Sequence, residues 1–163
     1  MSVADIRQNY EKGELLESQA KSSPFDQFEL WLNEAIALPV AEPTAMTLAT
    51  ADGSGKPTAR IVLLKGFDAQ GFVFYTNYNS QKANQIAENN NVSLLFYWEC
   101  LERQVRIEGK ASKVPQEMSD DYFNSRPRGS QIGAWASAQS ETIPERADLE
   151  KRVEEITKQF EGK

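Results

Sequence analysis

Apolar residues along this chain follow two different periods. Phe25, Phe28, Trp31, Leu32, Ala35 and Ile36 recur at helical spacing, which predicts one amphipathic helix. Ser23 precedes it as N-cap, Pro24 takes the first helical position, Asp26 stands where a capping box wants an acid, and Pro39 lies beyond its end. The period then shortens. Ala45–Thr50, Thr58–Lys65, Phe72–Thr76, Val92–Trp98 and Gln104–Ala111 read as strands, with turn chemistry at 51–57 and 68–71. Between them Ser80–Glu88 reads as a short helix capped by Asn79 or Ser80 and ended by the asparagines at 89–91. Helices are expected again over Pro115–Asn124, within Ser130–Ser137 and over Pro144–Phe160. The last carries Leu149, Val153, Ile156 and Phe160 on one stripe, fit to pack on the same chain or on a second subunit.

Strands at short intervals, joined mostly by tight turns, indicate an antiparallel sheet that curls or closes into a barrel. The expected class is therefore mainly β with flanking helices, an α+β fold. Ile61 to Leu64 is too continuously apolar to leave one face of its strand wet. Residues 1–22 are polar and weakly patterned; they are expected to form a flexible segment with a short helix around Val3–Tyr10, ahead of one domain over 23–163.

Composition narrows the chemistry. The 163 residues contain no histidine and one cysteine, Cys100. That excludes histidine-based nucleophilic machinery, histidine-ligated metals and an internal disulfide, so no metal site is expected. The formal charge of −6, spread along the chain, argues against a nucleic-acid partner. No apolar run spans a bilayer, and the first residues have no secretory pattern, so a cytoplasmic protein without a membrane partner is expected.

Several segments set cations, hydroxyls and amides beside apolar residues. Arg60 and Lys65 end one apolar strand; they are either solvated strand ends or two hands on one elongated ligand. Tyr75 and Thr76 lead into a helix N-terminus with Lys82 in its first turn, a plausible phosphate seat that is also a common helix start. Gln104 presents either an amide to a heterocycle edge or nothing more than a polar side chain to water. Tyr122, Arg126, Arg128 and Ser130 surround a loop turned by Pro127 and Gly129, where a second phosphate would be held well. A surface loop with a helix-stabilising arginine is the plainer alternative.

Taken in order, these fragments resemble the pyridoxine (pyridoxamine) 5′-phosphate oxidase family. The resemblance runs through Arg60-Ile61-Val62-Leu63-Leu64-Lys65, Phe74-Tyr75-Thr76-Asn77, Leu101-Glu102-Arg103-Gln104-Val105 and the stretch from Ser125 to Trp135. It continues to Gln139-Ser140 and, more loosely, back to Pro43-Thr44-Ala45-Met46.

The resemblance implies an FMN-binding, antiparallel split β-barrel that acts as a homodimer with the flavin between subunits. It implies oxidation of pyridoxamine or pyridoxine 5′-phosphate to pyridoxal 5′-phosphate, with O₂ as electron acceptor. Carried over, Arg60, Ile61, Val62, Leu63, Leu64, Lys65, Tyr75, Thr76, Gln81, Lys82, Gln104, Gln139 and Ser140 would line FMN. Lys65, Tyr122, Arg126 and Ser130 would hold the substrate phosphate, and Arg7 and Tyr10 resemble a segment that folds over the substrate. Gln81 stands where the family often has arginine. Family members also continue into a Trp-Gly-Gly strand and an Arg-Leu-His segment that this sequence lacks, so it is expected to be either a truncated version of a longer protein or a member that has lost part of its site. No general base is assigned, because none is visible in this sequence. The alternative expectation is a split-barrel protein that binds FMN or pyridoxal phosphate without turnover.

Overall fold

The computed structural model describes residues 2–7 and 9–162. Among the described residues six strands form two sheets: β1 (Ala45–Ala51), β2 (Pro57–Leu63), β5 (Asn91–Trp98) and β6 (Arg103–Lys110) in the order β2-β1-β5-β6, and a hairpin of β3 (Gly66–Asp68) with β4 (Gly71–Val73). The connections β1–β2 and β5–β6 are too short for a crossover, so both pairs run antiparallel. Contacts divide the chain into two units. One comprises the chain up to Leu48 with Ala59–Phe74 and Ser93–Glu108; the other comprises Ala49–Thr58, Tyr75–Val92 and the chain from Gly109.

In the first unit, helix α1 (Pro24–Ala37) starts as expected, with Ser23 Oγ accepting the Phe25 N–H at 3.2 Å. Asp26 completes no capping box; Gln27 Oε1 instead accepts the Lys21 N–H at 3.0 Å. Phe28, Leu32 and Ala35 are buried, whereas Ile36, at the edge of that stripe, is exposed. Phe28 is the centre of an aromatic core, with ring centroids 4.9 Å from Phe67, 4.9 Å from Phe72 and 5.0 Å from Phe96. Each such pair adds about 0.5–1.5 kcal/mol beyond area burial. Trp98 is buried beside them and its indole N–H donates to Pro43 O at 2.9 Å.

Three expectations for this unit are corrected. The strand expected over Phe72–Thr76 ends at Val73 and pairs with Gly66–Asp68, a strand that short-range pattern does not signal. Asp68 Oδ1 accepts the Gln70 N–H at 2.7 Å and the Gly71 N–H at 3.2 Å, and Gly71 turns at φ 155°, a value suited to glycine. The run Ile61–Leu64 does have a wet face: burial alternates along β2, with Ile61 64% exposed, while Leu64, just past the strand, is buried. Near the N-terminus only Val3–Asp5 forms a short 3₁₀ turn; Ile6, Arg7, Asn9 and Tyr10 are not helical, and Gln8 lies outside the described residues.

In the second unit, helix α2 (Gln81–Glu88) buries Lys82 and Gln85, three residues apart on one face. Gln85 Oε1 accepts from the hydroxyls of Thr50 and Thr58, both at 2.7 Å, tying the helix to two strand segments. The turn between those strands is closed by Asp52, whose Oδ1 accepts from the Ser54 hydroxyl and from the Ser54 and Lys56 N–H groups. The Ser54 hydroxyl, then the Lys56 N–H, hold that carboxyl below the usual carboxylate range.

Helices α3 (Gln116–Ser125), α4 (Arg128–Ala136) and α5 (Arg146–Gln159) follow. Pro127 separates α3 from α4 and keeps Arg126 extended. Gln131 donates to Phe123 O and Asn124 O, covering carbonyls at the end of α3. The apolar stripe of α5 packs on α4, with Trp135 5.7 Å from Phe160 and the Arg128 guanidinium donating to Phe160 O.

Candidate functional site

The polar cluster at the start of α2 is built from four side chains of the second unit. Lys82 is only 8% exposed, and its ammonium donates to Gln139 Oε1 at 2.9 Å, Thr76 Oγ1 at 3.1 Å and Ser80 Oγ at 3.5 Å. Thr76 Oγ1 is also 3.3 Å from Gln139 Oε1. Ser80 is the N-cap residue of α2, yet its hydroxyl makes no capping bond; it faces Thr76 Oγ1 at 3.4 Å. One cation, two hydroxyls and the positive end of a helix therefore meet in one place, a donor set that matches a phosphate dianion.

Next to Thr76, the ring of Tyr75 stacks on Tyr122 with centroids 3.8 Å apart and planes 4° apart. The Tyr75 hydroxyl donates to Met118 O at 3.2 Å. Burial, with smaller contributions from Tyr122, Asp121 and Tyr78, pushes the Tyr75 phenol above its ordinary value. This pair joins one residue expected at the cofactor to one expected at the substrate phosphate. By contrast, no hydrogen bond or ring contact joins Tyr122, Arg126 and Ser130 to one another among the described residues. Arg126 is half-buried at the end of α3, and Ser130 lies exposed in the first turn of α4.

Gln81 and Ser140 line a cleft of about 660 Å³ together with Asp52, Asn84, Glu88 and Glu141. Ser140 holds a left-handed backbone, φ 72°.

The remaining residues named from sequence belong to the first unit. Arg60 is half-buried and its guanidinium donates to Leu48 O at 3.1 Å; burial pulls it below its ordinary value. Val62 is half-buried and Leu63 is exposed. Lys65 is exposed, with its N–H bonded to Val73 O at 2.8 Å. Gln104, Arg7 and Tyr10 are exposed.

Two contributors had weaker signals in sequence. Ser80 is one of two candidate caps, and Gln85 is not singled out by the sequence. Their roles depend on partners distant in the chain.

The two sheets and the flanking helices are those of a split-barrel fold of the FMN-binding type. Residues 32–160 match the profile of the family described as Pyridoxamine 5′-phosphate oxidase. A pyridoxine/pyridoxamine 5′-phosphate oxidase from Bordetella petrii is 57% identical over 160 residues, covering 98% of this chain and 76% of that protein. One from Burkholderia thailandensis is 54% identical, covering 98% of this chain and 74% of its own. This chain belongs to the pyridoxamine 5′-phosphate oxidase family.

Among solved structures, PhzG from Burkholderia lata, in complex with tetrahydrophenazine-1-carboxylic acid, superposes with a TM-score of 0.84 at 27% identity, covering 90% of this chain and 73% of its own. A pyridoxamine 5′-phosphate oxidase-related, FMN-binding protein from Nostoc punctiforme shares the fold, with a TM-score of 0.61 at 19% identity over 80% of this chain and 73% of its own.

Proposed function

We propose that the protein oxidises pyridoxamine or pyridoxine 5′-phosphate to pyridoxal 5′-phosphate, as a cytoplasmic homodimer that uses FMN and O₂. The observation that carries this reading is the Lys82–Thr76–Ser80–Gln139 cluster, whose cation and hydroxyls at a helix start support an FMN phosphate seat on motifs of the oxidase family. When bound, FMN would supply the acceptor for the hydride leaving the substrate carbon and the route for the electron pair to O₂. For the amine substrate the balance is pyridoxamine phosphate, O₂ and water to pyridoxal phosphate, ammonia and hydrogen peroxide.

The chain binds and orients. Lys82, Thr76 and Gln139 hold the cofactor phosphate, with Gln81 and Ser140 at its rim. Arg60 to Lys65 and Gln104 contribute to the flavin site. Tyr122, Arg126, Ser130 and Lys65 hold the substrate phosphate by charge-assisted bonds, and Arg7 and Tyr10 cover the substrate.

The test is anaerobic addition of pyridoxamine 5′-phosphate to the FMN-loaded protein. The flavin should bleach, then recover in air as pyridoxal phosphate and peroxide appear. A flavin that binds tightly but stays oxidised would identify a binding protein without turnover.

A further inference from the structure

The β5–β6 connection contains a residue in a backbone conformation that favours glycine. Glu102 sits at φ 53° and ψ 35°, in the left-handed region. Its side chain makes two bonds far along the chain. Oε2 accepts the N–H of Glu11 at 2.7 Å and the N–H of Lys12 at 2.9 Å, across 91 and 90 residues. Every described residue from Ser2 to Ser22 is exposed, so apolar burial does little to hold this stretch in place. Paired N–H groups on one carboxylate are charge-assisted, and they bind the backbone whatever side chains it carries.

The next residue anchors the next part of the chain. The Arg103 guanidinium pairs with Glu34 and lies 5.0 Å from the centroid of the Trp31 ring, both on α1. Consecutive side chains, the last of the connection and the first of β6, thus grip the segment before α1 and α1 itself. Gln104, of the expected flavin site, follows directly.

We infer that Glu102 is a positioning residue: its carboxylate ties the segment bearing Arg7 and Tyr10 to the β5–β6 connection. This rests on the reading above, in which Arg7 and Tyr10 cover the substrate. Glycine at this position would accept the left-handed backbone more readily than glutamate does, but it could not make the tie.

The test uses the full chain loaded with FMN and two variants, Glu102→Gly and Glu102→Gln. In Glu102→Gly, tryptic cleavage after Arg7 and Lys12 should accelerate roughly tenfold, the factor equivalent to about 1.4 kcal/mol. Its melting temperature should not fall. The KM for pyridoxamine 5′-phosphate should rise severalfold with kcat unchanged, and Glu102→Gln, which keeps an oxygen acceptor, should recover most of both effects.

Cleavage at the wild-type rate in Glu102→Gly would overturn the tie. Faster cleavage with an unchanged KM would overturn the positioning role while leaving the oxidase reading intact. A wild-type protein that binds FMN but turns nothing over would overturn the oxidase reading, and cleavage would still decide the tie.

Discussion

Lys82 Nζ and Gln139 Oε1, 57 residues apart in sequence, are hydrogen-bonded at 2.9 Å at the start of α2. The bond joins the first turn of a helix to the segment after α4, and it holds a nearly buried ammonium beside two hydroxyls. If this is the cofactor phosphate seat, its loss must be felt in flavin affinity. Hydrogen bonds to a charged group contribute about 1.5–3 kcal/mol. Lys82→Met, which keeps the apolar stem, should therefore raise the Kd for FMN roughly 10- to 100-fold, measured by flavin fluorescence quenching. Gln139→Leu should have a smaller effect in the same direction. Unchanged affinity in both variants would remove the phosphate from this cluster.

Gln85 makes a separate prediction about stability. Gln85→Leu takes a buried acceptor away from the hydroxyls of Thr50 and Thr58. The expected cost is about 1–3 kcal/mol, read as a lower urea midpoint. FMN affinity should weaken as well, because Gln85 and Lys82 lie on the same face of α2. A variant as stable as the wild type would show that the two hydroxyls are satisfied without it.

The Tyr75 phenol, raised by burial and by Tyr122, gives a pH dependence with a definite sign. The folded state keeps its proton to higher pH than the unfolded chain does. Stability from this source is therefore complete below the unfolded value of about 10 and is lost as pH rises through the folded value. Urea unfolding at a series of alkaline pH values should show a steeper decline for the wild type than for Tyr75→Phe. Parallel declines would contradict the shift.

The exposed side chains of edge strand β2 bear on assembly. Ile61 is 64% exposed on the same side of the strand as Leu63. If the homodimer uses this face, Ile61→Glu should shift the sedimenting species from dimer to monomer. Its effect on the folded monomer should stay within about 0.5 kcal/mol, as for other surface changes. An unchanged sedimentation coefficient would place the dimer contact elsewhere.

Local chemistry was sufficient for what depends on neighbours in the chain. Ser23 and Pro24 start α1 where expected, Pro127 parts α3 from α4, and the 3.6-residue stripe puts Phe28, Leu32 and Ala35 inside. The order of motifs from Arg60 to Ser140 was likewise enough to indicate the family. Pairing and exposure required the tertiary structure. Gly66–Asp68 becomes a strand because Gly71–Val73 lies beside it, and Ile61 stays wet because its face of β2 is left uncovered. Lys82 meets Gln139, Tyr75 meets Tyr122, and Glu102 meets Glu11 and Lys12 across separations that no local period encodes. Periodicity assigns a residue to a face of its own helix or strand; the residue opposite that face is chosen when the chain folds back on itself.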